Sequence, residues 1–108
     1  MQRVCFLLKV KPDRVDDYLR AHQVWPEMRD AIRCSGIRNY SMFVRKNDGL
    51  LVGYFEADDP EKSLAELAKT DANRRWQEYM APFFARGSGD LQKGGPEWLE
   101  QYFYSDAN

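Results

Sequence analysis

An α+β fold, with one four-stranded antiparallel sheet and helices on one of its faces, is what this 108-residue sequence predicts. Three observations carry that expectation. Apolar residues alternate with period two in residues 2–10 and 37–45, and apolar or aromatic runs at 50–56 and 98–104 supply two more strands. Two of those stretches flank Lys46-Asn47-Asp48-Gly49, a hairpin turn. Apolar residues at helical spacing fill the intervals before and after that hairpin.

The elements follow in order. Residues 2–10 place Val4, Phe6, Leu8 and Val10 on one side and Cys5, Leu7 and Lys9 on the other. This is a strand buried strongly on one face and partly on the other. Lys11-Pro12-Asp13 ends it, with Asp13 positioned to cap a helix. Val15, Tyr18, Leu19 and His22 then share one helical face. Pro26 interrupts and opens a second helical stretch carrying Met28, Ala31 and Ile32, which ends near Ser35-Gly36. Residues 37–45 alternate again, with Tyr40, Met42 and Val44 opposite Ser41 and Phe43, and residues 50–56 return across the hairpin. Asp59-Pro60 is a cap followed by proline at the first helical position, and the helix carries Leu64, Leu67 and Ala68. Thr70-Asp71 starts another helix, in which Trp76, Tyr79, Met80, Phe83 and Phe84 make one stripe. Gly87, Gly89, Gly94, Gly95 and Pro96 mark a loop, and residues 98–104 close the chain as an aromatic strand. The order β-α-β-β-α-β is the ferredoxin-like, split βαβ arrangement, expected as a single domain over residues 1–108.

Such a sheet has helices on one face only, and the other face needs a cover. Cys5, Leu7, Phe43 and Phe55 are expected on that uncovered face, more than a small monomer tolerates. A homodimer sealed face to face into an α+β barrel resolves this. The competing reading is a monomer with a partly apolar cleft.

Composition excludes several roles. Sixteen Lys and Arg against seventeen Asp and Glu leave a formal charge of −1, so no basic face is offered to nucleic acid or an anionic membrane. The apolar runs at residues 4–8 and 50–55 are far too short to span a bilayer. No signal peptide is visible, which points to a cytoplasmic protein. Cys5 and Cys34 lack CxxC spacing, and one histidine in the chain is too few for a Cys/His zinc site. No metal and no cofactor are expected.

His22 has the one side chain whose ordinary pKa lies near neutrality. It follows Tyr18 by four residues, so imidazole and phenol are neighbours on a helix face, with Trp25 close behind. By spacing alone such a pair is more often packed core than catalyst, and the stripe of Trp76 and Tyr79 reads the same way. GxGxxG, GxxxxGK[ST] and GxSxG are all missing, and residues 87–95 lack the context of a phosphate loop. What remains is acid–base chemistry on a small neutral molecule walled by aromatic rings.

The chain resembles the L-rhamnose mutarotases over almost its whole length. The matching residues are Lys9-Val10 into Lys11-Pro12, Tyr18-Leu19-Arg20-Ala21-His22, and Trp25-Pro26-Glu27. Arg38-Asn39-Tyr40-Ser41, Thr70-Asp71, Arg75-Trp76, Tyr79-Met80 and Phe103 continue the match in the same order. The resemblance implies a ferredoxin-like α+β dimer in which His22 is the proton donor and Tyr18 and Tyr40 contact the sugar. It places the family's aromatic pair on Trp76 and position 77. There the chain departs, because Gln77 stands in place of a second tryptophan. The segment before Trp25 is also one residue shorter than in the enterobacterial form.

The implied chemistry suits these residues. Opening a pyranose ring moves a proton to the ring oxygen as another leaves the anomeric hydroxyl, and one positioned acid–base group contributes ~10²–10⁴-fold. Glu27 and Asp71 are candidate counter-bases, each also readable as a helix-terminus residue. The expected activity is therefore that of an isomerase of the aldose 1-epimerase type acting on L-rhamnose. A mutarotase for L-fucose or another 6-deoxy sugar is the near alternative. A cofactor-free oxygenase of the dimeric α+β barrel group, or a binding module without turnover, is the alternative of another class.

Overall fold

Phe6 lies at the centre of the protein, fully buried, and the strands are arranged around it. The computed structural model describes residues 1–85 and 96–105. The glycine-rich stretch expected to be a loop, from Gly87 to Gly95, lies outside the described residues.

Strand β1 (Gln2–Lys9) runs antiparallel to β3 (Leu50–Ala57), which in turn pairs antiparallel with β2 (Arg38–Arg45). On its other side β1 pairs with β4 (Glu97–Leu99), giving the sheet order β2-β3-β1-β4. That order, with every pair antiparallel, is the ferredoxin-like topology. Helices α1 (Val15–Ala21) and α2 (Pro26–Cys34) precede β2, and α3 (Pro60–Ala68) and α4 (Asp71–Met80) follow β3. Among the described residues no helix is long and apolar enough to cross a membrane.

The register decides which face each residue takes. Phe6 stands opposite Gly53, Leu8 opposite Leu51, and Val4 opposite Phe55. These residues face the helices, and Phe6, Leu51 and Phe55 are among the most deeply buried in the chain. Burying each such side chain contributes ~1.5–3 kcal/mol. Gly53 is required because the Phe6 ring rests on it: a Cβ there would stand 2.2 Å from Phe6 Cζ. Gly49 closes the hairpin at φ +78°, where a Cβ would meet the Val10 carbonyl oxygen at 2.2 Å.

Four expectations need correction. Phe55 belongs to the helix-facing core and not to the uncovered face, because period two from Leu51 puts residues 51, 53, 55 and 57 on one side. Asp13 is not a helix cap; Pro12 pre-sets a helical φ, so a 3-10 turn at Pro12–Arg14 takes Asp13 inside it and α1 starts afterwards. The stripe from Trp76 to Phe84 is not one helix. α4 ends at Met80, a 3-10 turn covers Ala81–Phe83, and Pro82, lacking an N–H, cannot extend the α-helical ladder. Phe84 instead bridges to Val10.

The fourth correction concerns the closing strand, which holds only Glu97–Leu99. Residues 100–105 leave the sheet, with Tyr102, Phe103 and Tyr104 exposed. Aromatic content favours a strand only where there is a surface to pack on, and these three rings stay largely exposed. The Tyr104 ring stacks under the Arg3 guanidinium at 3.6 Å.

The face away from the helices carries Cys5, Leu7 and Val52, all half-buried, with Leu99 and Phe43 exposed. Phe43 is 63% exposed. Cys5 and Cys34 are free thiols.

Candidate functional site

Each predicted site residue is held by a local feature of the sequence. Tyr18 is buried on α1, and the chain leaves the helix one turn later at His22, which caps its C-terminus with φ −78° and ψ 63°. The His22 N–H still donates to the Tyr18 carbonyl at 3.0 Å, so the turn stays closed while the imidazole swings clear of the helix. Tyr40 follows Asn39, a left-handed residue at φ 52° in an irregular step of the β2–β3 ladder. Asn tolerates that conformation, and its side chain donates to Glu56 Oε1 at 2.9 Å. Thr70 caps α4: its hydroxyl accepts from the Asn73 N–H at 3.2 Å, fixing the start of the helix that carries Trp76 and Gln77 in its second turn.

Tyr18, His22, Tyr40, Trp76 and Gln77 all line one cavity of about 540 Å³ between the sheet and helices α1, α2 and α4. That volume falls within the range of small-molecule sites. The His22 ring lies 5.5 Å from the Tyr18 ring and 5.4 Å from Trp76, which it meets edge to face at 85°. Trp25 backs Trp76 at 5.1 Å, also edge to face, and Tyr79 closes the outer side of both indoles. Tyr40 stands in the floor, with its ring against Phe6 and Phe55. Leu8, Met28, Met42, Leu67 and Met80 supply apolar lining. A smaller opening of about 260 Å³ on the β2 side shares Tyr18, His22 and Met42 with it.

Burial sets the protonation states. It pushes the His22 pKa below the ordinary imidazole value, with its own main-chain carbonyl pulling weakly the other way. The imidazole is therefore neutral at pH 7, able to take up a proton. Burial raises the Tyr18 phenol to about 12, and raises Tyr40 further, helped by the nearby Tyr18. Both phenols stay protonated and can donate hydrogen bonds.

No carboxylate lines the cavity among the described residues. Glu27 pairs with Arg75, and Asp71 with Arg74 and Arg75, all at the surface. The arginines hold the Asp71 carboxyl below the usual range. Among the described residues, no group of His, Cys, Asp and Glu is arranged to hold a metal ion.

Two polar lining residues, Arg29 and Asn73, lie outside the sequence-based set. Arg29 sits at the rim, its Nε donating to the Val24 carbonyl at 3.3 Å. Asn73 is 3% exposed and its side-chain oxygen accepts from Gln77 Nε2 at 3.3 Å. Its position four residues before Gln77 on α4 is the signal in the sequence that points to it.

These features define a ferredoxin-like α+β protein with an aromatic, imidazole-bearing pocket suited to acid–base chemistry on a small neutral ligand. The sequence profile of the L-rhamnose mutarotases matches residues 3–105. An L-rhamnose mutarotase of Shouchella clausii is 39% identical over 105 residues, covering 96% of this chain and 98% of that protein. The chain belongs to the L-rhamnose mutarotase family. Its backbone is similar to the crystal structure of an L-rhamnose mutarotase from Formosa agariphila, with TM-score 0.78 and 21% identity over 98% of this chain and all of that one. A putative antibiotic biosynthesis monooxygenase from Nitrosomonas europaea shares the fold at TM-score 0.61 and 15% identity, over 90% of this chain and 84% of that one.

Proposed function

We propose that this protein is an isomerase of the aldose 1-epimerase type that interconverts the α and β anomers of L-rhamnopyranose. The observation that carries the reading is a neutral imidazole, His22, in a cavity whose other polar walls are mainly phenols and amides. His22 takes the proton of the anomeric hydroxyl as the bond between the anomeric carbon and the ring oxygen breaks. The carbonyl forms at the anomeric carbon, and the imidazolium returns the proton to the ring oxygen. Both oxygens are attached to the same carbon, so one imidazole serves both. Rotation about the next carbon–carbon bond presents the other carbonyl face, and the reverse steps close the opposite anomer. No net proton, electron or group is gained or lost.

The remaining residues bind. Tyr18 and Tyr40 donate hydrogen bonds to sugar oxygens, and Trp76 packs against the C–H face, including the C6 methyl. Gln77 supplies an amide where a second indole would stack. One positioned group contributes ~10²–10⁴-fold, which suffices for a reaction that water already performs slowly.

The working unit in this reading is a homodimer. The exposed Phe43 and Leu99, beside half-buried Leu7, Val52 and Cys5, form an apolar face that a second copy would cover. Two unpaired thiols suit a reducing, cytoplasmic setting. NMR measurement of anomer exchange in L-rhamnose tests the activity. Exchange above the buffer rate supports it; sugar binding without faster exchange, or oxygen uptake with an aromatic substrate in its place, contradicts it.

A further inference from the structure

Asn73 and Ser63 are the two buried polar residues among those described, and of these only Asn73 lines the cavity. Its Oδ1 accepts from Gln77 Nε2. Neither amide has another side-chain hydrogen bond among the described residues. No buried side-chain nitrogen or oxygen there lacks a partner, so Asn73 Nδ2, with no partner of its own, reaches open space. The space that Asn73 lines is the cavity.

An amide carries two donors and two acceptor lone pairs, and the Asn73–Gln77 bond uses one donor and one lone pair. In either orientation of the two amides, one NH₂ and one C=O remain for the cavity. The cavity lining around them is mostly apolar or aromatic, with no carboxylate among the described residues, and Arg29 is tied to the Val24 carbonyl at the rim. A neighbouring pair of unused donor and acceptor in such a site matches two adjacent hydroxyls of a sugar ring. One hydroxyl donates to the carbonyl and its neighbour accepts from the NH₂.

We infer that Asn73 and Gln77 form a clamp for two adjacent ring hydroxyls, which makes Asn73 a specificity-determining residue that reads the sugar away from its anomeric carbon. This inference rests on the sugar-binding reading of the cavity. Thr70 is the positioning residue of the clamp, because its hydroxyl holds the Asn73 N–H.

The test titrates the full-length protein with L-rhamnose and with its 3-deoxy and 4-deoxy counterparts. Tryptophan fluorescence reads affinity, and NMR reads anomer exchange separately. Asn73→Leu keeps the side-chain size and removes the amide. It weakens L-rhamnose binding by about tenfold, the effect of one lost hydrogen bond to a buried partner. The sugar lacking a clamped hydroxyl binds wild type more weakly and loses much less on mutation. Gln77→Leu, at a half-buried position, gives the same selective loss and supplies the answer if Asn73→Leu does not fold. An equal loss for all three sugars, as a purely structural role would give, overturns the clamp, and so does unchanged affinity. Selective loss in a protein that shows no anomer exchange retains the clamp and rejects the mutarotase. Exchange in wild type with an unselective loss does the reverse. A wild-type protein that binds none of the three sugars overturns both.

Discussion

Gly53→Ala tests the packing that holds the cavity floor. The new methyl carbon would lie 2.2, 2.5 and 2.7 Å from Phe6 Cζ, Cε2 and Cε1. To restore ordinary contact the ring must retreat by roughly 1 Å, since non-bonded carbons settle about 3.5–4.0 Å apart. It has little room, because Phe55, Trp98 and Tyr40 surround it with ring centroids at 6.2, 5.4 and 6.3 Å. Overpacking of this kind costs ~1–3 kcal/mol, and the complete burial of Phe6 puts the expected loss near the top of that range. For a domain of this size that is a fall in Tm of about 10 °C or more. The assay is urea unfolding of Gly53→Ala, Phe6→Leu and the double mutant. The shorter leucine side chain in Phe6→Leu does not reach the added methyl, so the double mutant should be more stable than the two single losses predict, by at least ~1 kcal/mol. Because the Phe6 ring packs against Tyr40 in the cavity floor, the single mutant should also bind L-rhamnose more weakly, and the double mutant should regain part of that affinity. Additive losses, or a Gly53→Ala protein as stable as wild type, would refute the packing argument.

Three further outcomes follow from the geometry. Phe43→Asp, on the exposed sheet face, should shift the protein from dimer to monomer in light scattering at micromolar concentration; a wild-type monomer would remove the argument for a sealed barrel. Gln77→Trp should shift kcat/KM towards 6-deoxy sugars, relative to those bearing a 6-hydroxyl, by ~1 kcal/mol, and an unchanged ratio would show that residue 77 does not touch the sugar. The His22 pKa is lower folded than unfolded, so its contribution to stability is complete above the ordinary value near 6.5 and is lost as pH falls through the folded value. Urea midpoints should therefore fall from pH 7 towards 5 more steeply in wild type than in His22→Asn; parallel slopes would contradict a neutral, half-buried imidazole.

The sheet is legible in the sequence because period two is strict in β1 and β3, and the helix starts at Asp59-Pro60 and Thr70 are legible because the structure repeats their cap chemistry. Sequence reasoning fails where tertiary context decides. Helical spacing runs past Met80 on paper, but Pro82 stops the ladder and Phe84 bridges to Val10, just past β1. The aromatic run after Leu99 looks like a strand, yet a strand needs a neighbouring strand to pair with, and residues 100–105 join no β-ladder. Weighing Phe55 by its size, and not by its register with Val4, puts it on the wrong face. The aromatic and imidazole members of the cavity stand out by residue type and helical spacing. Asn73 is signalled only by its spacing of four from Gln77, because an asparagine in the first turn of a helix otherwise reads as solvent-exposed, whereas this one is buried in the cavity wall.

The central claim is that His22 moves the proton. Anomer exchange in L-rhamnose, measured by NMR on wild type and His22→Asn with the buffer rate subtracted at each pH, addresses it directly. Asn keeps hydrogen-bonding groups of similar reach but has no usable pKa. The account predicts a fall of ~10²–10⁴-fold towards the buffer rate in a variant that still melts cooperatively and still binds the sugar. Near-normal exchange by folded His22→Asn would contradict it.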